Sequence, residues 1–138
     1  MIPFRLTFRP GVSLYEQVVY AARKAIVSGQ LRPGDAFPSV RQLSKELQIN
    51  PNTAHKVIVA LTNEGLLEIR PGLGALVAAL PKATAAASSR LLGRELEALV
   101  VEAKKLGMRL DDVIEALTNH WERIGGPELA GAQVKKRS

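Results

Sequence analysis

Apolar residues along this chain recur at two different spacings, and each change of spacing marks a new element. "FRLTF" alternates Phe4, Leu6 and Phe8 with Arg5, Thr7 and Arg9, the period of a short strand with one apolar face, and Pro10-Gly11 ends it. From Ser13 to about Gly29 the period lengthens, with Leu14, Val18, Ala22, Ala25 and Ile26 on one helical face, Ser13 as cap and Gly29 as stop. The Pro- and Gly-containing "LRPGDAFPS" reads as a loop, after which Ser39-Val40-Arg41-Gln42 has the capping-box spacing of a second, short helix ending near Leu47. Asn50 then offers a cap and Pro51 suits the first position of a third helix, running to about Glu64. On it Ala54, Val57, Ile58 and Leu61 share one side, while Asn52, Lys56, Val59 and Asn63 project about 180° away.

Two helices so closely joined, the second amphipathic, describe a helix-turn-helix. "LLEIRPGLGALVA" adds a strand from Leu67 to Arg70, a tight Pro71-Gly72-Leu73-Gly74 turn and a strand from Ala75 to Ala78. A β-hairpin directly after the third helix makes the unit a winged helix-turn-helix, assigned to residues 1–78. Residues 79–88 are poor in bulky apolar side chains and read as a linker. Beyond them Leu92, Leu96, Leu99, Ala103 and Leu106 form one amphipathic helix and Leu110, Val113, Ile114, Leu117 and Trp121 another, separated near Gly107. These two stripes exceed what a two-helix hairpin can bury by itself, so residues 89–125 read as a dimerisation arm with Leu92, Leu96, Leu99, Leu110, Val113, Leu117 and Trp121 at its interface. The Gly-rich, basic residues 126–138 are expected to be a flexible tail. The predicted fold is mainly α with a small β-hairpin: an N-terminal winged helix-turn-helix plus a C-terminal two-helix dimerisation arm.

Composition narrows the function. With 138 residues, 46% of them hydrophobic, the chain can build a core. It has no cysteine, which excludes disulfides and thiolate metal sites and suits a reducing compartment. No apolar run of about 18 residues occurs, and the start lacks a leader pattern, so a cytoplasmic protein without a membrane partner is expected. Residues 1–82 carry 10 Lys or Arg against 5 Asp or Glu, whereas residues 83–134 carry 6 against 8. The basic surplus therefore belongs to the winged part and points to an anionic partner.

The third helix is unusual at its start. Helix N-termini attract Asp or Glu, yet Asn50-Pro51-Asn52-Thr53 is neutral. Double-stranded DNA explains this: an acidic first turn would repel phosphate, whereas amides, hydroxyls and cations read base edges and leave the helix dipole open to the backbone. A plain capping motif on a solvated helix is the alternative, against which the preceding helix and following hairpin weigh. Val59 on the groove side either touches a thymine methyl or is an idle exposed valine. No enzyme constellation is present. Asp111-Asp112 sits in a first turn, where negative charge is favoured anyway, and "RPGLG" closes a hairpin instead of opening a helix as phosphate-cradling loops do. His55 and His120 read as surface polar residues, and neither a metal nor a cofactor is expected.

The stretch "LRPGDAFPSVRQLSKELQINPNTAHKVIVALTNEGLLEIRPGLGALVA", with Tyr15-Glu16-Gln17 before it, resembles the DNA-binding domain of GntR-type bacterial transcription regulators over residues 14–78. "LEALVVEAKKLGMRLDDVIEAL" is similar to the short C-terminal segment of the YtrA-type branch. The resemblance departs from the family pattern at Ser13, Ile58 and Val59. It implies a homodimeric repressor of a palindromic operator, in a branch many of whose members sit beside membrane-transporter genes. It also implies that Arg41 reaches phosphate or base, that Asn50, Asn52, Thr53, His55 and Lys56 line the recognition helix, and that Arg70 and Gly72 belong to a wing approaching the minor groove. The arm is too short for the large ligand-binding domains of other branches, so any small-molecule effector would bind between helices or at the dimer interface. A protein-interaction module on the same fold is the alternative reading.

Overall fold

The first three helices begin at side-chain caps. Ser13 caps α1 (Leu14–Val27), its hydroxyl accepting the Glu16 N–H at 3.1 Å. Ser39 opens α2 (Val40–Leu47) with the predicted reciprocal pair: its hydroxyl accepts the Gln42 N–H at 3.1 Å, and its own N–H donates to Gln42 Oε1 at 3.0 Å. Asn50 caps α3 (Pro51–Asn63), Oδ1 accepting the Asn52 N–H at 2.7 Å, with Pro51 at the first position, where a missing N–H costs nothing. These bonds satisfy N–H groups that no helical carbonyl can reach. This is a computed structural model, and it describes residues 2–6 and 9–125. The chain forms two compact units, the second of them Lys82–Ile124.

In the first unit α3 packs against both α1 and α2. Val18, Ala22 and Ile26 of α1, Leu43 of α2 and Ala54, Val57 and Leu61 of α3 are buried in one cluster, joined by Leu31, Phe37, Ile49, Leu66, Leu67 and Val77. Burying each Val or Leu contributes roughly 1.5–3 kcal/mol. Gln48, between α2 and α3, adopts a left-handed conformation at φ 55°. That bend drives Ile49 inward, where its carbonyl accepts the Ser44 hydroxyl at 2.8 Å.

Strands β1 (Leu67–Arg70) and β2 (Gly74–Val77) pair antiparallel in the register Leu67↔Val77 to Arg70↔Gly74. Strand β2 thus begins and ends one residue earlier than the sequence suggests. The segment before α2, read as plain loop, is bonded to β2: Gly34 N–H donates to the Val77 carbonyl at 2.8 Å, Val77 N–H to Asp35 at 2.8 Å and Phe37 N–H to Ala75 at 2.9 Å. It forms a third, one-bridge edge on the hairpin.

Two further expectations are corrected. Residues 2–6 form no strand. Their neighbourhood is held instead by side chains: Phe4 is buried and stacks on Phe37 with ring centroids 6.0 Å apart, and Gln30 Nε2 donates to the Pro3 carbonyl at 2.8 Å. Thr7 and Phe8 lie outside the described residues, as does the tail 126–138. The predicted linker 79–88 is also shorter than expected, because helix α4 (Ala85–Ser89) starts inside it behind Thr84, whose hydroxyl accepts the Ala87 N–H at 3.0 Å. Alanine lacks bulk but has the highest helix propensity, so an alanine run without bulky neighbours is still a helix.

In the second unit α4 leads through a π-helical turn (Arg90–Glu95) into α5 (Leu96–Lys105), and α6 (Leu110–Ile124) follows. Gly107, at φ 76°, makes the left-handed turn after α5. The two long helices do not close into a buried hairpin. Ala103 is the buried residue of α5, Val113 is half-buried, and α6 buries none. Leu92, Leu96, Leu99, Leu110, Leu117 and Trp121 all lie exposed, Trp121 at 77%. Among the described residues no helix is long and apolar enough to cross a membrane.

Candidate nucleic-acid interface

The face of α3 opposite the core is built by the pattern read from the sequence. Ala54, Val57, Ile58 and Leu61 are buried, while Asn52, His55, Lys56, Val59 and Asn63 are exposed. No acidic residue stands in the first turn of α2 or of α3. The positive ends of both helix dipoles are therefore uncompensated by side-chain charge. In α3, Pro51 has no N–H and Asn50 occupies that of Asn52, so among the described residues the Thr53 N–H is the first-turn donor left without a protein acceptor.

The structure sorts the predicted residues by how free they are. Arg41, in the first turn of α2, is exposed, as are His55 and Lys56 on α3, and among the described residues none of them has an ion-pair or side-chain hydrogen-bond partner. Asn52 is exposed too, and its side-chain amide is uncommitted among the described residues. Asn50 has spent Oδ1 on its cap and retains only its NH2 for a ligand. Thr53 is half-buried. Arg70 is exposed but engaged, donating to Glu68 Oε2 from Nε at 3.1 Å and from Nη2 at 2.7 Å. Such a pair is 57% and 45% exposed, in the range where ion pairs contribute about 0–1 kcal/mol, so it limits Arg70 without locking it. Gly72 sits in the wing turn at φ 80°, with Pro71 before it and the Leu73 N–H donating to the Arg70 carbonyl at 3.0 Å. Pro and then a positive-φ Gly is the type II turn signature.

Two supports and one exposed side chain have no local signature in the sequence. Arg23 of α1 grips Glu64, the C-cap of α3, through Nε at 3.0 Å and Nη2 at 2.8 Å, joining positions 41 residues apart. That hydrogen bond raises the Arg23 pKa above its ordinary value, outweighing the lowering by burial. The edge formed by residues 34–37 ties the wing to the lead-in of α2. Leu73, exposed at the wing tip, was masked by the turn chemistry around it. The histidines lie in different units, His55 on α3 and His120 on α6, where its Nδ1 is 2.6 Å from Arg123 Nη2.

Comparison with known proteins agrees with this geometry. Residues 14–77 match the family described as bacterial regulatory proteins, gntR family. The HTH-type transcriptional repressor YtrA of Bacillus subtilis is 31% identical over 108 residues, spanning 78% of this chain and 83% of the relative. The uncharacterized HTH-type transcriptional regulator YhcF of the same organism is 27% identical over 115 residues, spanning 83% and 95%. Among solved structures, a transcriptional antiterminator from Listeria monocytogenes EGD-e superposes with a TM-score of 0.76 at 22% identity, over 93% of this chain and 97% of that one, a likeness of fold. A winged helix whose recognition helix starts without acidic residues and bears an exposed cation, followed by a short helical arm and matched over most of its length by such a repressor, makes this chain a transcriptional regulator that belongs to the gntR family, in its YtrA-type branch.

Proposed function

We propose that the protein acts in the cytoplasm as a homodimeric repressor that binds an inverted-repeat operator. Helix α3 enters the major groove, with Asn52 and Lys56 reading base edges and Arg41, Asn50, Thr53 and His55 positioning it on the backbone or sharing the readout. The observation that carries this reading is the outer face of α3: exposed amides and free cations beside an unneutralised helix start, in the half of the chain that holds the basic surplus. The arm supplies the second subunit. Its exposed leucines and Trp121 form an apolar surface that a copy of the same arm would cover symmetrically. A transporter operon is the target that the YtrA-type branch suggests.

Titration of mixed-sequence duplex DNA against the full chain in rising salt tests the interface. A DNA-binding protein making six to ten phosphate contacts loses affinity on the order of 10³–10⁵-fold between 50 and 200 mM salt. Weak, salt-indifferent binding would instead favour the protein-interaction module.

A further inference from the structure

The wing presents one large side chain that recognition by α2 and α3 leaves unused. Leu73 is 66% exposed at the tip of the turn. It stands between Gly72 and Gly74, whose φ angles of 80° and 84° are ones glycine adopts without steric cost. A Cβ built at either glycine would meet nothing within 4 Å, so the backbone on both sides of Leu73 is bare and open. Pro71 and the bond from the Leu73 N–H to the Arg70 carbonyl hold the tip in one shape, which lowers the entropic cost of pressing it against a partner.

Charge is the second observation. Pro71 to Val77 contains no ionisable side chain, and the nearest cation, Arg70, is held twice by Glu68. The tip itself therefore carries no cation; it offers a leucine, with Ile69 exposed behind it on β1. The same hairpin is bonded to the lead-in of α2 through Phe37 and Gly34, so the wing and the start of α2 belong to one connected element.

Resting on the DNA-binding reading above, we infer that Leu73 is a wedge that enters the minor groove beside each half-site and presses between base pairs. Apolar side chains inserted in this way partly unstack a step and kink the duplex by on the order of 20–90°. Pyrimidine–purine steps, TA and CA/TG, yield most easily. Leu73 thus sets specificity at flanking positions through deformability, without a base-directed hydrogen bond.

The test is selection from a random duplex library by the full chain, run in parallel with Leu73→Gln and Leu73→Met. Bend angles are then measured by fluorescence energy transfer on the duplex the unsubstituted chain selects. The unsubstituted chain and Leu73→Met should recover TA or CA/TG steps at a fixed distance outside each half-site and bend the duplex. Leu73→Gln should recover the same half-sites, lose the flanking steps and reduce the bend by about 20° or more. Flanks and bend unchanged in Leu73→Gln overturn the inference while leaving the DNA-binding reading intact. Loss of half-sites and flanks together, in a variant whose thermal unfolding is unaltered, also overturns it, since Leu73 would then serve general affinity. If the unsubstituted chain enriches no duplex, the DNA-binding reading fails first, and the wedge with it.

Discussion

Among the described residues Gln17 is the one buried polar side chain of the winged unit, 6% exposed, and it acts as a strand neighbour would. Its Oε1 accepts the Arg9 N–H at 2.9 Å, while its Nε2 donates to the carbonyls of Arg9 and Val12 at 3.1 and 2.9 Å. Gln17→Leu keeps the bulk but strands those backbone groups, and should cost roughly 1–3 kcal/mol, read as a lower urea midpoint. An unchanged midpoint would mean that water replaces the amide. On the groove side, Asn52→Ala or Lys56→Ala should leave the midpoint alone and cost about 1–3 kcal/mol in affinity for the best site while relaxing its sequence preference. Equal losses on operator and scrambled DNA would show both residues to be phosphate contacts. Arg41 is open to either role, and the same comparison assigns it.

Caps decide the elements. Ser39→Ala removes the hydroxyl that accepts the Gln42 N–H at the start of α2, and should lower stability by about 1 kcal/mol with an unchanged denaturant slope. No loss would make the capping box ornamental. That box was legible because Ser and Gln three apart carry their own chemistry, and α3 was legible because Pro51, the Asn50 cap and the apolar period agree on one answer. The Pro71-Gly72-Leu73-Gly74 turn was legible in the same way, and the structure gives both of its glycines a positive φ. What the sequence hid depends on distant partners. Residues 34–37 look like loop because Pro and Gly surround them, yet β2 supplies the acceptors and donors that make an edge. "FRLTF" has strand period, but Phe4 finds Phe37 instead of a ladder. The helix at Ala85 leaves no apolar stripe in the sequence, because its alanines favour helix without supplying bulk. In the candidate site, Arg41, Asn52, His55 and Lys56 are exposed, whereas the engagement of Arg70 by Glu68 and of Arg23 by Glu64 follows from contacts that no local pattern announces.

At the scale of the whole molecule, the core lies in one unit and most of the exposed apolar side chains in the other. The cluster from Phe4 to Val77 belongs wholly to the first, so a chain truncated after Lys82 should fold cooperatively by itself. It should also sediment as a monomer and bind the operator far more weakly than the full chain, because pairing two half-site readers raises avidity on the order of 10²–10⁴-fold. A dimeric or equally tight truncated chain would move the pairing surface into the winged unit. In the proposed dimer, the exposed stripe of α5 and α6 would hold two copies of α3 about 34–36 Å apart, one helical turn of DNA. The most direct test of that arrangement is the consensus recovered when the full-length protein selects from random duplexes. The account predicts an inverted repeat whose half-site centres are separated by one helical turn or a multiple of it. A single, non-repeated consensus, or none at all, would contradict it.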